Sequence, residues 1–547
     1  MPVLQRSLAT MRPHHPSSPL SPITPLLFAA IAGGCAAPPD EVDSTGDVEP
    51  AVAATRDAPP APGADGLGDE LYPTLGNGGY DAVHYQLDLR YATAAPDQAL
   101  DGTVTLFAVA TQALSSFDLD FAGDAVGEVS VDGRRASWRR DGDELVITPA
   151  HPLHRGELFV VRVEHFASTP RVPDPAAFLD APFFTHPDGT AWAGQPAGAH
   201  RIFPANDHPA DKASYEITID VPAGTTAVAS GVLRGQHTAR GRTVWRYLQR
   251  QPMATELVQV AVGDLTVIDR GRHRGVIVRD VVPTRLAATL APALAVTPAQ
   301  LDWMEARVGP YPFDSYGSLA VDTSLGFALE TQTLSLFEVG FFSFDPSQYE
   351  PIMLHELAHQ WFGDSVAPTR WADVWQNEGH ATWYELESQD EVDSPEFIGF
   401  MELVYQYGDL FRMWFGPVGA PRSGDPNDVF NPNVYYGGAL TLFALRQEVG
   451  DATFRAIERA WVSRFRGRSA STADFVALAS ELAGRDLTAF FDAWLYGDAT
   501  PPMPGHEDWT TIPPSAMAGP ATARAVAAMA RELPLPVGEL RAQLQRR

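Results

Sequence analysis

The chain is short of cysteine, short of basic residues and free of long apolar runs. Each shortage narrows what it can be. One cysteine in 547 residues excludes an intramolecular disulfide and a cysteine-based zinc site, so any metal must rest on histidine and carboxylate. Lysine and arginine together number 39 against 68 aspartates and glutamates, a net charge of −29. A surface this acidic repels phosphate and argues against a nucleic-acid partner. No stretch of about 18 apolar residues occurs, so no membrane-spanning helix is expected. Core-forming material is plentiful, with 45% apolar and 20% charged residues. That is the balance of a globular chain, and the length predicts about two to four domains.

Residues 1–34 carry Arg6 and Arg12 and no acid, then an apolar run from Ile23 to Gly34 that ends in small residues before Cys35. A basic start, an apolar stretch and small residues describe a secretory signal. The lone cysteine stands where a bacterial lipoprotein signal places its lipidated residue. Residues 35–70 hold nine acids, one base and six prolines, which predicts a disordered acidic tether. The expectation is therefore an exported lipoprotein, anchored to a membrane and facing the periplasm or cell exterior, or otherwise secreted.

Folded sequence begins near Tyr80. His84–Leu89 and Glu216–Val221 alternate apolar and polar residues with period two, and Val104–Ala110, Phe117–Phe121, Leu145–Thr148 and Leu158–Val163 read the same way. This predicts an all-β antiparallel domain over 71–285. Beyond it the spacing turns helical. Helices are expected at Ala287–Val308, Tyr349–Phe362, Gln376–Ser388, Pro395–Phe415, Tyr436–Glu448, Ala452–Arg464, Thr472–Ala483 and Leu487–Leu495, with a strand-rich stretch over Gly317–Phe342. Strands followed by helices predict a multidomain α+β chain, with an α+β domain over 286–504. A tail over 505–547 would hold one short helix near Thr522–Glu532.

The strongest chemical signal is His355-Glu356-Leu357-Ala358-His359. Positions i and i+4 share a helix face, so both imidazoles can reach one ion, and Glu356 can approach a metal-bound water without being a ligand. A catalytic zinc usually has three protein ligands and one open position. Glu378, 19 residues after His359, is the candidate third ligand, carried back by a second helix. Two helical surface histidines and a helix N-terminal acid are the plain alternative.

Longer segments resemble a known family, the zinc aminopeptidases related to aminopeptidase N and leukotriene-A hydrolase, within the gluzincin metallopeptidases. The segment His355–Gly363 resembles the family's HExxHxWFG, and Trp375-Gln376-Asn377-Glu378-Gly379 resembles its WLNEG. Gly309–Phe313, Phe327–Thr331 at the GAMEN position, Gln195-Pro196 with Phe203–Pro209, Tyr435–Gly438 and Trp494–Gly497 extend the likeness over about residues 72–504. Phe327, Leu329 and Thr331 depart from GAMEN, and Gly437 replaces a basic residue. The resemblance implies a thermolysin-like catalytic domain behind the β domain, without a large C-terminal helical domain. It implies one zinc per chain on His355, His359 and Glu378, with Glu356 as general base and Tyr435 as donor to the oxyanion. It further implies that Glu330, Gln195, Ala328 and Leu329 bind a peptide with a free amino terminus. Glu385 is a candidate partner of a ligand, and His380 reads as a helix-surface residue. A zincin endopeptidase and a non-enzymatic scaffold on the same fold stay open, as does the epoxide hydrolysis of one family branch.

Overall fold

The computed structural model describes residues 59–517, apart from 94, 96, 174–180 and 423–428. The leader, Cys35 and the tail helix expected near 522–532 lie outside these residues. Among the described residues no helix is long and apolar enough to cross a membrane.

The β-rich half is built on an eight-stranded sheet. Its spatial order is Val232–Ala239, Arg242–Met253, Ala213–Pro222, Tyr80–Tyr91, Leu100–Ala110, Leu158–Ser168, Val129–Val131 and Arg134–Arg135. The sheet is not wholly antiparallel as the sequence suggests: Ala213–Pro222 runs parallel to Tyr80–Tyr91, in register from Ser214↔His84 to Asp220↔Arg90. Two strands so far apart in sequence can meet in either sense, because no tight turn fixes their direction. The alternation is real. Tyr85, Leu87 and Leu89 are buried against Tyr215, Ile217 and Ile219, and each such side chain contributes about 1.5–3 kcal/mol on burial.

Two expected boundaries move. The acidic tether was expected to run to residue 70, yet Ala61–Pro62 pairs parallel to Leu114–Asp120 and Asp69 is 2% exposed. The Asp69 carboxylate accepts from the Trp371 amide at 2.7 Å and contacts His208 Nε2 at 3.1 Å. A composition rule counts this acid as solvated, whereas specific partners bury it. The β domain was expected to end at 285, but the hairpin Leu265–His273/Val276–Pro283 belongs to the next sheet, beside Ser318–Val321 and Ser335–Glu338.

That five-stranded sheet and the helices after it form the α+β half. Pro395–Phe415 and Thr472–Ala483 fall where the spacing places them. Ala287–Val308 does not form one helix. It is a helical turn, Ala287–Leu290, a 3-10 turn, Ala293–Val296, and then the helix Thr297–Val308. Pro292 lacks the amide a continuous helix would use there. The closing helix expected at Leu487–Leu495 is a short turn, Thr488–Phe491, followed by a π turn, Asp492–Tyr496.

Candidate active site

The helix Pro346–Ala358 starts at Asp345, whose side chain accepts from the Ser347 amide while Gln348 bonds back to Asp345, a reciprocal cap that fixes the first turn. It ends four residues earlier than the spacing suggests, with His359 at its C-cap. The chain then reverses through amide bonds from Asp364 to the His359 carbonyl, Ser365 to Gln360 and Val366 to Trp361. Gly363, at φ 126°, takes a conformation other residues avoid. The helix Trp375–Gln389 then carries Glu378 in its first turn. Trp361 anchors the reversal: its indole donates to the Gly309 and Pro310 carbonyls at 3.2 Å.

These elements bring His355, His359 and Glu378 together. One Glu378 oxygen, Oε2, lies 3.3 Å from Nε2 of each histidine. The other ring nitrogens are engaged elsewhere. His355 Nδ1 meets Glu385 Oε2 at 3.0 Å, and His359 Nδ1 donates to the Phe362 carbonyl at 3.1 Å. This fixes the tautomers and frees both Nε2 atoms for a cation. Two imidazole nitrogens and one carboxylate oxygen are the donor set of a catalytic zinc, so the residues fit that metal. Glu330, Glu356 and His359 form a second close cluster. It shares His359 with the triad, and the His359 Nδ1 that faces Glu330 is already bonded to the Phe362 carbonyl.

Electrostatics follow from burial and proximity. Burial raises the Glu378 carboxyl, but His359 and His355 outweigh it and hold the pKa at about 2. Burial lowers His359, yet Glu330 and Glu378 carry it up to about 9. His355 is likewise lifted well above its ordinary value, by Glu378 and Glu385 against burial. Both shifts favour the protonated imidazoles, so a cation entering the triad competes with protons for the Nε2 atoms. Glu356, 5% exposed, is pushed up to about 8 by burial, opposed by both histidines and reinforced by Glu330 and Glu378.

Tyr435 lies on a π turn, Asn433–Gly437. Its ring stacks on that of His355 at 5.9 Å between centroids and 16° between planes. A close helix approach brings it there: a side chain on Gly379 would fall 2.9 Å from the Gly438 backbone, so only glycine lets the two helices meet.

On the other side, Gln195 Nε2 donates to Glu330 Oε1 at 2.6 Å, and Glu330 Oε1 stands 4.0 Å from His359 Nδ1. Glu330 was expected on a strand. It follows a single bridge, Leu329↔Leu336, in otherwise irregular chain. That bridge uses both backbone groups of Leu329, and the Leu329 side chain is packed in the core. Leu329 is nearly fully buried, and Ala328 beside it is half-buried. His380 is not on a helix surface. It is fully buried, stacked on Phe362 at 4.3 Å with Nε2 3.2 Å from Glu458.

One residue gained no role from the sequence. Gln360 Nε2 donates to the Glu330 carbonyl at 3.0 Å, and its Oε1 accepts from the Thr333 amide at 2.9 Å. It ties the Glu330 segment to the metal helix. Its position next to His359 was the only signal.

Residues 293–494 match the peptidase family M1 domain, and residues 184–257 match the peptidase M1 N-terminal domain. Aminopeptidase M1-A of Oryza sativa subsp. japonica is 28% identical over 316 residues, covering 55% of this chain and 36% of that protein. Aminopeptidase 2, mitochondrial, of Saccharomyces cerevisiae is 26% identical over 323 residues, covering 55% and 33%. The chain thus spans about a third of the length of these curated relatives. The crystal structure of an M1 zinc metallopeptidase from Deinococcus radiodurans is similar at 31% identity and TM-score 0.71, over 80% of this chain and 99% of that one. A mutant of the Deinococcus radiodurans enzyme, solved with a Tyr-Ser-Ala substrate, aligns with the same identity, score and coverage.

Proposed function

We infer that this chain, which belongs to peptidase family M1, is a zinc aminopeptidase that removes the first residue from peptides. The observation that carries this reading is the buried Gln195–Glu330 pair beside the metal triad. An exopeptidase must offset the desolvation of a free α-ammonium with nearby acceptors. An endopeptidase has no need of such a pair.

Zinc held by His355, His359 and Glu378 supplies Lewis acidity and a nucleophile at neutral pH. The chain's own groups do the rest. Glu330 accepts from the substrate ammonium, and the Gln195 amide oxygen, left free by the bond its nitrogen makes, is the second acceptor. Ala328 lines the approach. Glu356 takes the proton from the attacking water and passes it to the leaving nitrogen as the C–N bond breaks. Tyr435 donates its phenol to the carbonyl oxygen as charge develops there, a contribution of ~10²–10³ in rate for one such donor. Glu385 holds His355 in its ligating tautomer.

A panel of aminoacyl chromogenic substrates, free and N-blocked, assayed with and without chelator, tests the reading. Turnover of free substrates that chelator abolishes is expected. A wild-type protein that ignores all free aminoacyl substrates would refute it.

The same proposal includes export and a lipid on Cys35, supported by Arg6, Arg12, the Ile23–Gly34 run and the single cysteine. Cys35→Ser should release the protein from membranes. An unmodified amino terminus downstream of Cys35, found by mass spectrometry, would rule the anchor out.

A further inference from the structure

Of the 39 basic residues in this chain, 38 are arginine and one is lysine, Lys212. Arginine serves every other positive position, including the half-buried Arg307 and Arg455 that share Glu387. The exception has unusual surroundings. Lys212 immediately precedes the strand Ala213–Pro222 of the large β sheet. Its Nζ crosses to the α+β half and donates to two consecutive carbonyls, Asp364 at 2.5 Å and Ser365 at 3.0 Å. Both acceptor residues are almost wholly buried. No carboxylate makes an ion pair with Lys212 among the described residues, although burial lowers its pKa to about 8 while Asp364 and Glu256 hold it up.

The two carbonyls belong to the turn that closes the metal helix. From the same residues the Asp364 amide reaches the His359 carbonyl and the Ser365 amide reaches the Gln360 carbonyl. Gln360 in turn holds the Glu330 carbonyl. One ammonium therefore fastens the turn from which both a metal ligand and the amine anchor are held. A compact ammonium can direct separate N–H bonds at adjacent carbonyls. A guanidinium can also reach two carbonyls, as Arg459 does with Ala306 and Arg307 near the surface, but it is longer, planar and fork-shaped, and the buried space that Lys212 fills suits the compact ammonium.

We propose that Lys212 is a positioning residue that clamps the Asp364–Ser365 turn to the β half and so sets His359 and Glu330 relative to each other. The proposal rests on the aminopeptidase reading for its kinetic consequence, but not for its effect on metal binding.

The test uses Lys212→Met and Lys212→Arg in the full chain. Both should melt cooperatively and bind zinc ~10- to 100-fold more weakly in chelator competition, the usual cost of losing a partner behind the ligands. With zinc in excess, kcat should fall by at least ~10-fold while KM changes little, because a sub-ångström misplacement acts on the reacting geometry. Zinc affinity and kcat within two-fold of wild type in either variant would overturn the proposal, whatever the melting temperature. The lone lysine also permits a measurement on the unmutated protein. With lysine labelled at Nζ with nitrogen-15, a single side-chain resonance is expected to shift when zinc is added to the metal-free protein. A resonance that stays put would overturn the clamp even where both variants fail to fold. Inactive wild type with a shifting resonance would instead count against the aminopeptidase reading alone.

Discussion

The metal triad and the proposed amine anchor lie side by side, yet the chain encodes them in opposite ways. His355 and His359 are one helical turn apart, and Glu378 follows within the next helix. Helix geometry alone puts the two imidazoles on a common face. Gln195 and Glu330 are 135 residues apart and come from different sheets' neighbourhoods. Neither sits on a regular element whose period would point it inward. A local cluster follows from a repeat of 3.6 residues, whereas a long-range pair exists only once two domains have packed. The two should also fail differently: the triad as a unit, the anchor by degrees.

The largest expected effect is in the triad. His359→Ala should take zinc content from one per chain to nearly none and abolish turnover, read by metal analysis. A protein that keeps its zinc would break the comparison at its firmer side. Glu356→Gln comes next. It should hold zinc and fold normally but lose ~10²–10⁴ in kcat, the range expected for a general base. Activity within a few-fold of wild type would remove Glu356 from that role.

The anchor should give a graded loss. Glu330→Ala should raise KM and lower kcat on free aminoacyl substrates, for a combined loss of about 10- to 100-fold, the worth of one charge-assisted hydrogen bond. A loss as complete as that of His359→Ala would show that the anchor and the triad act as one unit after all.

The smallest effect sharpens the comparison from the β side. Glu256 is buried behind the anchor, on a 3-10 turn packed against Gly194. One of its oxygens has no partner, and burial pushes its pKa up to about 8. A carboxyl raised in the folded state stabilises most below about pH 4.5. That contribution is lost as the pH climbs through about 8. Glu256→Gln should therefore melt close to wild type at pH 5 and above it at pH 8. A gap that is widest at pH 5 would contradict the sign.

The same contrast explains what was legible. Period-two runs located Tyr80–Tyr91 and Ala213–Pro222, but not that they pair in parallel, because alternation says which face is buried and nothing about the neighbour's direction. Composition marked residues 35–70 as tether, yet Asp69 is buried by a backbone amide 302 residues away, a partner no local window contains. His380 read as a surface histidine because its helix is buried nearly all round and offers no polar face to judge against. The ligand set was legible from spacing. Glu330 and Gln195 were reached only through the family resemblance. Ala328 and Leu329 came with that resemblance too, since an irregular segment with a single bridge has no period that says which way its side chains face.

The central claim is that the pocket reads a free amino terminus. Its most direct test offers the zinc-loaded protein one peptide in two forms, with a free and with an acetylated amino terminus, and identifies products by mass spectrometry. The account predicts stepwise loss of the first residue from the free peptide and no cleavage of the acetylated one. Efficient cleavage of the acetylated peptide at an internal bond would contradict it.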